Sequence, residues 1–136
     1  MNKEDLNAFL YKAFPDFDYF GKVHTLKNGK ITFRLVPNKL HIRPGGTISG
    51  PTMMMMVDTA SWCSILNQIG PEAMAVTTNL NINFLRKPNA EVPLDAISSI
   101  LKLGKRLAIC EVRIEQGDNL VAHATCTYSI PPKKDQ

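Results

Sequence analysis

Pro51-Thr52-Met53-Met54-Met55-Met56-Val57-Asp58-Thr59-Ala60-Ser61-Trp62-Cys63-Ser64-Ile65-Leu66-Asn67-Gln68-Ile69 is the stretch that decides how this chain folds. From Pro44 to Pro71 the only charged residue is Asp58. Met53 to Val57, Ala60, Trp62, Cys63, Ile65 and Leu66 take up every side of a helix drawn over 51–69. A helix that is apolar all round is a buried one. Pro51 suits its first turn, where the missing N–H has no partner to lose, and Gly70-Pro71 ends it. A buried helix of this length needs a wall around it.

The flanking segments supply that wall. Downstream, strands are expected near 73–86, 92–103, 107–115 and 119–130, with turns at Gly104-Lys105 and Gln116-Gly117-Asp118-Asn119. Turns this short join antiparallel neighbours, because a parallel crossover needs a dozen residues or more. Upstream, strands near 18–26 and 30–36 meet at Asn28-Gly29, a hairpin dipeptide whose two residues accept positive φ. Ile31, Phe33 and Leu35 then face one way, and Lys30, Thr32 and Arg34 the other. Residues 3–14 place Leu6, Phe9, Leu10 and Ala13 on one helical face, with Asn2 as cap and Pro15 as stop. His41 to Pro51 holds no regular element. The pattern predicts one α+β domain over residues 1–136, in which a curved antiparallel sheet wraps one long central helix. An additional N-terminal helix lies within 1–17, and 131–136 form a frayed tail.

Composition narrows the function. The 136 residues are 44% hydrophobic and 21% charged, as in ordinary globular proteins. No apolar run nears the roughly 20 residues that span a bilayer, and Met1-Asn2-Lys3-Glu4-Asp5 carries no export signal. A cytoplasmic protein that engages no membrane is expected. Cys63, Cys110 and Cys126 are odd in number and lack metal or redox spacing, so they read as reduced core thiols. His24, His41 and His123 are scattered, which argues against a metal site. The net charge of +4 fits an anionic ligand or merely a soluble surface. Nucleic acid is not expected, since no basic-aromatic array is present.

Asp58 is the foremost candidate for chemistry. A carboxylate on an apolar helix loses several kcal/mol of hydration unless it is paired. It is therefore either a general base or a structural group bonded to an amide or to a hydroxyl such as Ser61. The first amides of a helix carry the positive end of its dipole and suit an oxyanion. Pro51 has no N–H, so the donor is Gly50 or a residue after Pro51, unless Gly50 is only a turn glycine. Ser49 offers a hydroxyl or a helix cap, and Arg43 a fork of donors or a plain surface charge. Thr52, Arg86, Lys87, Lys105 and Arg106 join Arg43 as candidates for holding a substrate and its phosphates, against ordinary solvated positions. Met53 to Met56 line an adaptable pocket or fill the core.

A family resemblance rests on Gly45-Gly46-Thr47-Ile48-Ser49-Gly50, Val57-Asp58-Thr59-Ala60 and Val76-Thr77-Thr78-Asn79-Leu80-Asn81-Ile82-Asn83-Phe84-Leu85-Arg86-Lys87-Pro88. It continues through Gly104-Lys105-Arg106 to Val121-Ala122-His123-Ala124-Thr125-Cys126-Thr127-Tyr128. From about residue 30 to 130 the chain resembles hotdog-fold acyl-CoA thioesterases of the phenylacetate-degradation (PaaI-like) type. The resemblance implies hydrolysis of a small or medium acyl-CoA, with Asp58 as general base or nucleophile and the Gly50 amide as oxyanion donor. No cofactor is implied beyond the coenzyme A of the substrate itself. It puts Thr77 where relatives often set a water-orienting hydroxyl. In a regular strand, however, Thr77 shares a face with Asn79, Asn81 and Asn83, so it reaches its own helix only past a bulge, or else a neighbouring subunit's site. Family members read Asn…His-Gly-Gly where this chain has Arg43…Ser49-Gly50-Pro51, which leaves a non-catalytic acyl- or CoA-binding protein as the alternative. A hydratase would want an Asp/His pair, and no histidine lies near Asp58 in sequence. Homodimers or homotetramers with shared sites are expected. The neutral row Thr77, Asn79, Asn81 and Asn83 suits an interface, while Met74, Val76, Leu80, Ile82 and Phe84 are free to cover the helix.

Overall fold

Ser49 starts the central helix. Its backbone is extended, and its hydroxyl accepts from the Thr52 N–H. Helix α3 then runs Gly50–Ile69 and stops where Gly70 takes φ 88°, which disfavours side chains. The structure, a computed structural model, describes residues 1–15 and 17–132. Six antiparallel strands surround α3: β1 Lys22–Lys27, β2 Lys30–Leu35, β3 Val76–Phe84, β4 Leu94–Leu103, β5 Leu107–Gln116 and β6 Asn119–Ser129. Their order in the sheet is β1-β2-β4-β5-β6-β3. The hairpin at Asn28-Gly29 has φ of 54° and 75°, as the dipeptide requires.

The inner face of the sheet explains how closely the helix can sit. Ala96, Ala108, Ala122 and Ala124 are all buried there, so short side chains let the backbones approach. Phe33, Ile31, Leu35 and Ile114 fill the remaining space against Met56, Val57, Ala60, Cys63 and Leu66. Each fully buried large side chain contributes about 1.5–3 kcal/mol. This is the hotdog arrangement implied by the resemblance. Burial of α3 is not complete, however. Pro51, Met54, Met55 and Asp58 lie one helical repeat apart and form a stripe that the chain leaves open, with Met54 42% exposed.

Several boundaries differ from the sequence reading. Helix α1 covers Lys3–Ala13, held by a reciprocal Asn2/Asp5 capping box. It does not extend to residue 17, because Phe14 precedes Pro15 and is extended. A single turn, α2 (Phe17–Phe20), replaces the expected start of a strand at 18. Leu6 and Leu10 bury α1, and the Asn7 amide bonds both the N–H and the C=O of Val23. Trp62 meets Phe9 and Phe14 edge-on. Before α3, Lys39–His41 form one 3-10 turn. There the buried His41 ring stacks on Tyr19, with Nδ1 accepting from the Asn38 N–H and Nε2 donating to the Tyr19 carbonyl. Of the expected tail, Pro131 and Pro132 have no regular structure, and 133–136 lie outside the described residues. No described helix is long and apolar enough to cross a membrane.

Strand β3 departs most from simple alternation. Thr77 pairs with Tyr128 but Asn79 pairs with Thr127, so Thr78 is an extra residue in a bulge. Thr77 therefore joins Leu80, Ile82 and Phe84 on the inner face. Val76 and Met74, expected to cover the helix, are instead 52% and 68% exposed.

Two outcomes test this packing. Gly21 has φ 98°, and an added Cβ would lie 2.6 Å from the Arg34 carbonyl oxygen. Gly117 has φ 55° with nothing within 4 Å. Chemical denaturation should show Gly117→Ala weakened by about 1 kcal/mol, and Gly21→Ala by at least about 2 kcal/mol more. Burial pushes the thiols of Cys63 and Cys126 up to about 12 and that of Cys110 up to about 11. At pH 8 a thiol reagent should label none of them in the folded protein and all three once it is unfolded. Rapid labelling of the native protein would contradict the packing.

Candidate active site

Asp58 lies midway along α3 on its open stripe and is half-buried, not enclosed as its apolar neighbours imply. Two hydroxyls meet its Oδ1. Thr77 donates from β3, and Tyr128 donates from β6 at 2.6 Å, with the Asp58 backbone oxygen 3.0 Å from the same phenol. Thr77 and Tyr128 face one another in the β3–β6 register, and the Thr78 bulge turns Thr77 inward. Thr77 was a candidate from the sequence, whereas Tyr128 had no assigned role there. Its signal was parity: Ala122, Ala124, Cys126 and Tyr128 share one face, and a phenol there needs a polar partner. Burial, followed by the Asp58 charge, holds the Tyr128 phenol well above its ordinary value, so it remains a donor. Ser61, the alternative partner for Asp58, has its buried hydroxyl oxygen without a partner among the described residues.

The helix start offers one free donor. Pro51 has no N–H, Thr52 N–H goes to Ser49 Oγ, and Met53 N–H goes to the Ser49 carbonyl. Gly50 N–H has no acceptor among the described residues and points from the positive end of α3. A Cβ at Gly50 would sit 3.5 Å from the Phe84 ring, so Phe84 flanks this end of the stripe. Two sequence candidates take structural roles instead. Ser49, proposed as catalytic, is the helix cap, and its hydroxyl is 2.7 Å from Thr52 Oγ1. Thr52, proposed as a substrate contact, is 1% exposed and donates toward the His41 carbonyl.

Spacing separates the remaining groups. Asp58 stands eight positions after Gly50 on α3, a distance of about 12 Å along its axis. One thioester carbonyl cannot touch both in a single protomer. Arg43 is exposed on the loop before the helix, where its backbone N–H bonds the Thr47 carbonyl. Arg86 donates to the Leu120 carbonyl near the start of β6, with Lys87 exposed beside it. Lys105 and Arg106 border a groove of about 840 Å³ at the other end, with Ile69, Pro71 and Ile130. The two basic pairs are therefore about 30 Å apart along β6. Among the described residues no histidine adjoins Asp58: His41 is sealed behind Tyr19, His24 is exposed on β1, and His123 pairs with Glu111 at 3.2 Å. No cluster of three metal-ligating side chains is present among them either.

Known proteins share this fold. Residues 45–128 match the thioesterase superfamily. The crystal structure of a candidate thioesterase from Silicibacter sp. TM1040 is 39% identical, with 97% of this chain and 93% of that chain covered and a TM-score of 0.87. The phenylacetic acid degradation protein PaaI of Thermus thermophilus shares the fold at 24% identity and TM-score 0.76, over 87% of this chain and 100% of that one. A candidate esterase of Pseudomonas aeruginosa is 23% identical over 124 residues, 90% of this chain and 92% of the relative. With its curved sheet, its single wrapped helix and a match over most of its length, this chain belongs to the thioesterase superfamily.

Proposed function

We propose that the protein hydrolyses an acyl-CoA thioester of small or medium acyl length, at sites completed between two protomers. The observation that carries this reading is a carboxylate with one oxygen saturated and one open, set on the accessible stripe of an otherwise buried helix. Water adds to the thioester carbonyl as its proton passes to Asp58. The carbonyl oxygen takes up negative charge and is met by the Gly50 amide, a donor worth about 3 kcal/mol in such sites. The C–S bond then breaks, and Asp58 returns the proton to the coenzyme sulfur, releasing the free acid and CoA. If Asp58 instead attacks directly, single turnover in ¹⁸O-water leaves label in its carboxylate.

Since about 12 Å separates Gly50 from Asp58 in one chain, the carbonyl is taken to lie between Asp58 of one protomer and the partner's Gly50. One two-fold axis accounts for this. Centred at Met54 on the helix, it exchanges positions 50 and 58. Centred between Leu80 and Asn81 on β3, it exchanges Phe84, beside Gly50, with Thr77, beside Asp58. The two sheet edges favour the same choice. β1 is short, bulged and bears Lys22, His24 and Lys27, whereas β3 offers nine charge-free residues. That axis also brings the partner's Arg86 near Ala75, toward Lys105 and Arg106, where four cations could flank the coenzyme phosphates. Three free cysteines fit a reducing, cytoplasmic setting.

A panel of acyl-CoAs with free-thiol detection tests the activity. Asp58→Asn should remain folded and lose at least about a hundredfold in rate; unaltered turnover would rule out a catalytic Asp58, and no turnover of any acyl-CoA by the unaltered protein would leave the non-catalytic binding reading. Arg43→Ala should weaken turnover of acyl-CoA more than that of a short thioester without phosphates; equal losses would place Arg43 at the carbonyl. Light scattering at micromolar concentration should return a multiple of 15.1 kDa, and a mass of one chain would sink the shared site.

A further inference from the structure

Asp58 presents two oxygens, and their surroundings are unequal. Both hydroxyl donors, Thr77 and Tyr128, meet Oδ1, and no donor reaches Oδ2 among the described residues. We propose that Tyr128 is a positioning residue: with Thr77 it pins Oδ1 and so aims Oδ2 at the attacking water. This rests on the catalytic reading of Asp58 and assigns a function to a side chain outside the helix.

The packing supports it. Tyr128 is only 4% exposed, on a face otherwise lined by Ala122, Ala124 and Cys126. A phenol buried there must bond its hydroxyl or lose hydration uncompensated, whereas phenylalanine would fill nearly the same space without that demand. The hydroxyl spends its proton on the one charged group of the central helix. Its second acceptor also fits the chemistry. The Asp58 backbone oxygen is 3.0 Å away, so the O–H can point to Oδ1 while the carboxylate is charged and turn to the backbone once Asp58 holds a proton. Tyr128 thus has an acceptor at hand in either protonation state of Asp58. Because its phenol is held well above its ordinary value, it keeps its own proton throughout. Rotation of Asp58 is resisted from two strands at once, since Thr77 and Tyr128 are register partners.

Steady-state kinetics of Tyr128→Phe, alone and combined with Asp58→Asn, tests the assignment. Tyr128→Phe should keep its melting temperature within a few degrees and its KM within about twofold, while kcat falls about tenfold to a hundredfold. In the Asp58→Asn background the same change should cost less than about twofold, because the group it positions is gone. A kcat within twofold of wild type, a rise in KM alone, or an equal loss in both backgrounds would overturn the proposal while leaving Asp58 catalytic. Full activity of Asp58→Asn by itself would instead remove the catalytic reading. Should Tyr128→Phe fail to fold, Thr77→Val on the exposed edge strand decides: a kcat-only loss that vanishes with Asp58→Asn supports the pinned oxygen, and no loss overturns it.

Discussion

A twenty-residue helix with apolar side chains on every face cannot remain in water. Almost everything else in this molecule follows from that constraint. The sheet curls because a flat one would cover only one side of α3. The inner face carries alanines because bulkier residues would hold the helix off. Strand β3 reaches round the far side and stops at the sheet edge, so one stripe of α3 stays uncovered. That stripe carries the helix's single charge. The site is therefore the gap that a six-stranded wrapping leaves.

Much of this was legible in the sequence. The absence of charge from Pro44 to Pro71, broken once by Asp58, marked both the core and its exception. Asn28-Gly29 set the first hairpin and the faces of β2, because that turn chemistry has few alternatives. Alternation failed where one residue was inserted. Val76-Thr77-Thr78-Asn79 does not itself mark Thr78 as the bulge, yet that extra residue reverses which side chains meet the helix before it, while Leu80, Ile82 and Phe84 beyond it keep the expected face. Thr77 consequently lands on its own Asp58, while Met74 and Val76 turn outward. The role of Tyr128 is hidden from the sequence for a related reason. Its partner is 70 residues away in sequence, and only the closed sheet sets the phenol against the carboxylate.

The loop before α3 fixes which groups at the helix start are engaged. Ser49 caps the helix and ties Thr52 into the same cluster, so both hydroxyls are engaged within the chain. The cap and Pro51 together remove every competing amide at the helix start, leaving the Gly50 N–H as the one unbonded donor there among the described residues. Helix geometry then sets a limit that no loop adjustment changes. A donor at position 50 and a carboxylate at position 58 stay about 12 Å apart, so one thioester engages both only if they come from different chains.

That claim has a direct measurement. Asp58→Asn and Gly50→Pro, which removes the amide donor, are each assayed alone and then after being mixed by co-expression. If sites are shared across a two-fold, half of the pairs are mixed and each mixed pair holds one intact site of two, so activity should return to about a quarter of wild type. Activity that stays at the level of the separate variants would mean that each protomer carries its own site, and the shared-site account would be wrong.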